Sequence, residues 1–362
     1  MPTRLTVLAP FPPGCSPGQR FRFEQWLSLL PSSSLDVEVH SAFSRKAYGD
    51  LYRAGHYPTK AGHTARALSR RLRDMIDASK SDVVLIYREM FPLGRPVLER
   101  LLAHQTPFVM DFDDAIYLPG EGGQNDIMGR FRHPEKVAEI VRYSAHTTVG
   151  NRHLADYARQ HASHVTVLPT TLDIERYRPH GRRSPVGRRL RIGWSGSFST
   201  ARHLQSLDGV LSRMLTDRGL ELAVLGAPEY RLAAAPNVVV VPWSEASEQG
   251  EVAAFDIGIM PLPDDDYTRG KCGFKALLYM ALGVPCVASP VGVNCEIIEH
   301  EVNGLLASTE NEWMEAIGRL AADEALRKRL GEAGRETVVE RYSGQRWSLE
   351  FLRILENVAQ AA

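Results

Sequence analysis

FDIGIMPLPDDDYTRGKCGFKALLYMALGVPCVAS, residues 255–289, decides the fold. FDIGIMPL (255–262) and PCVAS (285–289) are apolar runs of strand length. GFKALLYMALG (273–283) between them has helical length and spacing. The two runs are continuously apolar and do not alternate. This is the pattern of strands covered on both faces, joined by a crossover helix in a parallel sheet.

The same alternation extends in both directions. Upstream lie LRIGWSG (190–196), the helical HLQSLDGVLSRML (203–215), and the strand runs ELAVLG (221–226) and NVVVVPW (237–243). Downstream, NEWMEAIGRLAAD (311–323) and the amphipathic stretch 345–362 are helical. The first half repeats the scheme. Its strand runs are RLTVLAP (4–10), DVEVH (36–40), DVVLIY (82–87), PFVMDF (107–112), HTTVG (146–150) and HVTVLP (164–169). Helical stretches fall at Arg20–Leu30 and PVLERLLAH (96–104). PHGRRSPVGRR (179–189) is rich in Pro, Gly and Arg and reads as a linker. The expected class is therefore α/β, with two Rossmann-like parallel-sheet domains facing a cleft. The first spans 1–178, a linker 179–190, the second 191–344, and a closing helix 345–362.

Composition bounds the function. The 362 residues carry 43 Lys+Arg and 43 Asp+Glu, a formal net charge of +0, which removes a strong case for a nucleic-acid binder. No apolar run nears the roughly 18 residues of a membrane span. The N-terminus lacks a signal-peptide core, so a cytoplasmic location is expected. Cys15, Cys272, Cys286 and Cys295 form no CxxC pair and suggest no zinc site.

In open parallel sheets ligands bind beyond the carboxyl ends of strands. The strongest such loop holds Gly270, Lys271 and Gly273 ahead of a helix that begins near Phe274, with Lys275 in its first turn. Glycines admit close approach, and helix N-terminal amides with lysines suit a diphosphate. A solvated loop on an ordinary core helix fits the same residues. Asp264, Asp265 and Asp266 offer sugar-hydroxyl acceptors or form a solvated acidic turn. VMDFDDAIYLP (109–119) places Asp111, Asp113 and Asp114 at a strand end, where they orient hydroxyls or cap the next helix. A metal-binding Asp-x-Asp lacks an evident third ligand. Arg88 and Glu89 follow another strand and either line the cleft or form an ion pair. Trp243 sits where a nucleobase stacks, or serves the core.

Residues 44–75 carry Arg45, Lys46, Arg53, Lys60, Arg66, Arg70, Arg71 and Arg73 against Asp50 and Asp74, with Tyr48, Leu51, Tyr52 and Tyr57 interspersed. Two readings stand: a solvated face, or a surface that rests on anionic lipid and places the protein peripherally on the inner face of a membrane.

KALLYMALGVPCVAS, followed by PVGVNCEII and HEVNGLLA (300–307), resembles the donor-binding region of family 4 glycosyltransferases, which have the GT-B fold. VLPTTLDIERYRP (167–179), RIGWSGSFSTARHL (191–204) and ERYSGQRWSLEFL (340–352) resemble, in order, that family's stretch before the linker, its first strand and loop of the second domain, and its closing helix. The resemblance implies that the last helix crosses back to the first domain. It implies transfer of a sugar from a nucleotide-sugar, UDP- or GDP-linked, to a glycan or lipid-linked hydroxyl. Retention is implied, and neither metal nor cofactor. Surface polysaccharide, lipopolysaccharide or glycolipid synthesis is the expected setting.

The family's site residues carry over unevenly. Gly196 matches, Ser197 stands at an Arg position and Arg202 at a Lys position. Gly270 and Leu278 stand where two glutamates are expected, while Glu296 is retained. PPGCSPGQRFR (12–22), with Gly18 and Arg20, resembles the loop that faces the donor phosphates. Some relatives carry a His at the position of Asp113. The catalytic candidates are then Asp113, Asp114, Arg202 and Lys271. Gly18, Arg20, Gly196, Ser197, Trp243 and Gly270 are donor contacts, as are Gly273, Phe274, Lys275 and Glu296. Arg88 and Asp264–Asp266 are acceptor or sugar contacts. The missing acidic pair keeps a second reading open, a non-catalytic nucleotide-sugar-binding or scaffolding subunit. A sugar-nucleotide epimerase is a third. A dehydrogenase is disfavoured, because PFPPGCSPG follows the first strand in place of G-x-G-x-x-G.

Overall fold

A computed structural model describes residues 2–51, 55–119, 133–179, 188–233 and 237–361. Residues 180–187 of the expected linker, and Tyr52 and Arg53 of the basic segment, lie outside the described residues. The chain forms two compact units, one of Met1–Thr170 with Gly344–Ala362 and the other of Thr171–Ser343.

The described residues of the first unit form one parallel sheet of β1 (Thr3–Ala9), β2 (Leu35–Ser41), β3 (Val83–Tyr87), β4 (Phe108–Phe112), β5 (His146–Val149) and β6 (Val165–Val167), in the order β2-β1-β3-β4-β5-β6. Every residue of β3 and β4 is buried, which explains why VVLIY and FVMDF are unbroken apolar runs but for Asp111. The closing helix Gly344–Gln360 packs into this unit's core. Phe351, Ile354, Leu355 and Val358 lie with Trp26, and the Trp26 and Phe351 rings are 5.1 Å apart.

The second unit's sheet holds β7 (Arg191–Ser195), β8 (Glu221–Leu225), β9 (Val238–Val241), β10 (Ile257–Met260), β11 (Cys286–Ala288) and β12 (Leu305–Leu306), in the order β12-β11-β10-β7-β8-β9. All its pairings are parallel. Counted within the unit, this is the doubly wound order 3-2-1-4-5-6.

The unit boundary differs from the expected 178/179. Residues 171–179 belong to the second unit because their backbone is held there. Leu172 pairs with Ser343, and Arg335 donates to the carbonyls of Ile174 (2.7 Å) and Tyr177 (2.6 Å). The Tyr177 hydroxyl also bonds Glu248 at 3.2 Å. A boundary placed by composition alone falls on the Pro/Gly/Arg stretch and misses such bonds.

The basic segment also departs from both of its readings at one residue. In the helix Tyr57–Ala78, Arg71 is fully buried. It donates to the carbonyls of Ala9, Met90 (2.8 Å) and His40 (3.2 Å), and to Asp74 Oδ2 at 2.9 Å. One guanidinium thus fastens the chain just past β3 to the ends of β1 and β2.

Candidate functional site

Strand order locates a crevice in each unit. In the first sheet the winding reverses between β1 and β3, and in the second between β7 and β10. Loops leaving adjacent strands there diverge to opposite faces and leave room for a ligand.

In the second unit these loops are Gly196–Thr200 after β7 and Pro261–Gly273 after β10. Gly273 has left-handed backbone (φ +68°) and is the N-cap of the helix Phe274–Ala281, with no side-chain cap. A Cβ there would be built into Ile297 and lie 3.1 Å from Val293, so only glycine fits. The first amides of the helix lack intrahelical acceptors and carry the positive end of its dipole. The helix is fixed to β7 by the Tyr279 hydroxyl, which accepts the Ser195 amide at 2.9 Å.

Three cations converge on this place. Lys275 Nζ lies 5.6 Å from the centroid of the Trp194 ring, and Lys271 Nζ 4.6 Å from that of Tyr267. Arg202 is exposed on the helix Ala201–Gln205. His203 beside it is buried and reports the field. Burial, followed by Lys271, Lys275 and Arg202, pushes its imidazole down to about 4, against a smaller opposing pull from Asp265. Burial and the nearby cations therefore keep this histidine neutral.

Other expected contacts are placed as follows. Gly196 abuts Gly226, and a Cβ on Gly226 would meet the Gly196 carbonyl and lie 3.2 Å from Trp243 Cβ. The ends of β7, β8 and β9 thus bring Gly196 and Trp243 into one row. Trp243 is half-buried and donates from Nε1 to Glu248 at 2.7 Å. Ser197 is exposed, and its amide donates to Thr200 Oγ1 at 3.2 Å. Phe274 is half-buried at the first helical position, and Glu296 is exposed on the short helix Asn294–Ile297.

Gly270 is buried, and its amide is taken by the Tyr267 carbonyl at 3.1 Å. The three aspartates have local work. Asp264 pairs with Arg269 at 2.7 Å, which holds its carboxyl below the usual range. Asp265 caps the helix Asp266–Arg269 by accepting the Thr268 amide at 2.8 Å, and Asp266 lies 3.4 Å from Arg269. Leu278 is fully buried, so the helix face where the resemblance expects a ribose-binding carboxylate belongs to the core.

Sequence reasoning missed His203 and Asn294. Asn294 is almost fully buried, donates to the Ser289 carbonyl at 3.0 Å, and turns Oδ1 toward Gly273 with no hydrogen-bond partner among the described residues. Its place in VGVNCEII, between two glycine-flanked turns, was the available signal.

In the first unit the crevice is lined from β1, β3 and β4. The loop after β1 is closed by Gln19, which exchanges hydrogen bonds with the Phe11 backbone, and by Glu24, which accepts the Gly14 amide at 2.9 Å. Gly18 then lies directly against the strand ends. A Cβ on it would be built into the Tyr87 hydroxyl and lie 2.8 Å from Asp113 Oδ2. Tyr87 donates to Asp113 at 2.6 Å. Arg88 Nη2 bridges Asp113 (3.0 Å) and Asp114 (2.7 Å). Arg88 itself has φ +66°, a left-handed conformation costing an arginine about 1–3 kcal/mol, and its amide is held by the Asp111 carbonyl at 2.7 Å. Burial raises the Asp113 carboxyl, but Arg88, Arg22 and the Tyr87 hydroxyl outweigh it and hold the carboxyl below the ordinary aspartate range. Asp113 is thus an ionised acceptor.

Asp111 is committed elsewhere. Both its oxygens face Arg22, with Nε at 3.0 Å, and the Thr148 hydroxyl donates to it at 2.6 Å. The Asp111-x-Asp113 pair is therefore closed to a metal, and among the described residues no group of three His, Cys, Asp or Glu is placed to hold one. Arg20 is buried with its guanidinium 4.8 Å from the Phe21 ring centroid. Glu89 pairs with Lys136 at 2.8 Å and takes no part in the cluster.

Comparison with known proteins follows the same division. Residues 189–323 match the family model described as Glycosyl transferases group 1. No curated protein matches the chain. Among solved structures, the sucrose-phosphate synthase of Thermosynechococcus elongatus superposes with a TM-score of 0.76 at 15% identity, over 99% of this chain and 100% of that one. Anabaena HepE in complex with UDP-glucose gives 0.67 at 14% identity, over 98% and 100%. The UDP-forming α,α-trehalose-phosphate synthase of Burkholderia xenovorans gives 0.62 at 13%, over 99% and 100%. The chain has the fold of the GT-B glycosyltransferases, and its residues 189–323 match the glycosyl transferases group 1 model.

Proposed function

We propose that the protein transfers a sugar from a nucleotide-sugar, UDP- or GDP-linked, to the hydroxyl of a glycan or lipid-linked acceptor, with retention and without a metal. Its setting is surface polysaccharide, lipopolysaccharide or glycolipid synthesis at the cytoplasmic side. One observation carries the reading. Arg202, Lys271 and Lys275 converge with an uncapped helix N-terminus on a crevice whose histidine is neutral. Two phosphates satisfy that field better than one carboxylate. Negative charge grows on the diphosphate as the glycosidic bond breaks, so fixed cations stabilise the transition state more than the ground state. In the first unit the ionised Asp113, joined to Asp114 through Arg88, accepts hydrogen bonds from sugar hydroxyls.

The test is a thermal-shift screen against UDP, GDP, ADP, CDP and dTDP, with and without Mg²⁺. A ligand that binds only the folded protein raises its melting temperature. One nucleotide is expected to do so independently of metal. Lys271→Ala and Arg202→Ala should each weaken it by about 10–100-fold, the value of a hydrogen bond to a charged group. Failure of every nucleotide to shift the melting temperature removes the proposal.

The buried Leu278 favours a second reading, a nucleotide-sugar-binding subunit without turnover. Calorimetry with a product assay separates the two, since that subunit binds donor and releases no sugar.

A further inference from the structure

The basic helix Tyr57–Ala78 buries Ala67, Arg71, Asp74 and Ala78, and leaves a stripe of Leu68, Leu72 and Ile76 in solvent at 39%, 54% and 61% exposure. The spacing i, i+4, i+8 puts the three on one line. The helix Val97–Ala103 packs beside it, and the Thr106 hydroxyl just past its end bonds the Ala78 carbonyl at 3.2 Å. This second helix adds Val97 and Leu101, 58% and 49% exposed. Scattered exposed apolar residues need no explanation, but five gathered on two neighbouring helices do.

Charge on the two helices is sorted. Arg66, Arg73 and Arg100 are exposed. Two of the three acids are turned inward. Asp74 faces Arg71 and His40, and Glu99 is buried on the Met90 amide at 2.9 Å. The third, Asp77, is 45% exposed, one turn from Arg73, and is paired with Lys80 at 3.3 Å. The outward face is therefore apolar with a cationic border.

We propose that this face, built from the helices Tyr57–Ala78 and Val97–Ala103, docks on an anionic lipid surface. Leucine and isoleucine side chains enter the acyl boundary, while the arginines reach headgroup phosphates. A second copy of the chain fits less well, because a two-fold contact sets cationic border against cationic border. The inference stands on the first unit alone and is independent of the transferase reading.

The test is co-sedimentation of the full chain with vesicles of equimolar phosphatidylcholine and phosphatidylglycerol, and with phosphatidylcholine vesicles. Binding is expected to the anionic vesicles only and to weaken with salt. Each cation near an anionic surface adds about fivefold to partition, so Arg66→Gln/Arg73→Gln is expected to lose about 25-fold. Leu72→Glu/Ile76→Glu should abolish binding. Both sites are more than half exposed, so the fold is retained, and the arginine variant gives an independent reading. No association with anionic vesicles, equal association with neutral ones, or wild-type binding by either variant overturns the proposal. A dimer in solution that Leu72→Glu dissolves also overturns it.

Discussion

Gly18→Ala is the sharpest perturbation of the first unit. Gly18 lies in the short helix Pro17–Gln19 with ordinary backbone, so in a solvated helix the change would stabilise by roughly 0.5–1 kcal/mol. The structure reverses the sign. The new Cβ is built into the Tyr87 hydroxyl, and Tyr87 is 1% exposed, with its ring packed against Phe23 at 5.6 Å. Overpacking of this kind costs about 1–3 kcal/mol. Tyr87→Phe removes the atom that is struck, together with a hydrogen bond to an ionised carboxylate worth about 1.5–3 kcal/mol. Once that hydroxyl is gone, the new Cβ still lies 2.8 Å from Asp113 Oδ2, so the strain is relieved in part. The double variant should therefore lose less stability than the sum of the two single variants, with a coupling energy of about 1–2 kcal/mol, inside the range for residues in contact. Urea denaturation of the four proteins closes the cycle. Additive losses would refute the placement of Gly18 on the Tyr87–Asp113 pair, and a stabilising Gly18→Ala would refute it outright.

Arg71→Met leaves Asp74 and three carbonyls without their shared donor, and should destabilise by about 3–5 kcal/mol in urea denaturation. Burial and nearby cations push His203 down to about 4 in the folded protein, against 6.5 for an ordinary histidine, so between these pH values the unfolded chain binds more protons. Stability is therefore present above about 6.5 and lost as pH falls toward 4, by about 3 kcal/mol for the full shift and roughly half that once solvent screens the cations. His203→Gln should flatten this slope, and unchanged slopes would show that the histidine is not held neutral.

The fold was legible because strands covered on both faces must be continuously apolar, as VVLIY is, while VVVV forms an edge strand with Val239 exposed. Placing chemistry in the loops after those strands follows from topology, and the crevices lie at Gly196, Lys271, Gly18 and Asp113. Charged side chains were read less well. The aspartates 264–266 left two readings, sugar-hydroxyl acceptors or a solvated acidic turn, and Arg269 and a helix cap engage them from within five residues. Arg71 looked like one more surface cation, but its carbonyl partners lie 19 to 62 residues away. The Arg22–Asp111 pair spans 89 residues. A charge with local partners leaves a signal in spacing, whereas one stitched across the sheet leaves none. His203 is the same case, since its neutrality depends on burial and then on lysines about seventy positions away in sequence.

Both units place glycine loops at the reversal point of a parallel sheet, but they balance charge in opposite ways. In the first, Arg20, Arg22 and Arg88 stand with Asp111, Asp113 and Asp114, and Arg88 and Arg22 are already bonded to the aspartates. An incoming phosphate there must compete with carboxylates for every guanidinium. In the second, Lys271, Lys275 and Arg202 outweigh Asp265 in the field at His203, and Asp264 and Asp266 pair with Arg269. The proposed reading thus gives the nucleoside diphosphate to the second unit on charge balance, and the ionised acceptors of the first to hydroxyl groups, whose protons need no cation. Exchanging the roles would set phosphate against the ionised Asp113 in the first crevice, and low local dielectric makes that arrangement costly.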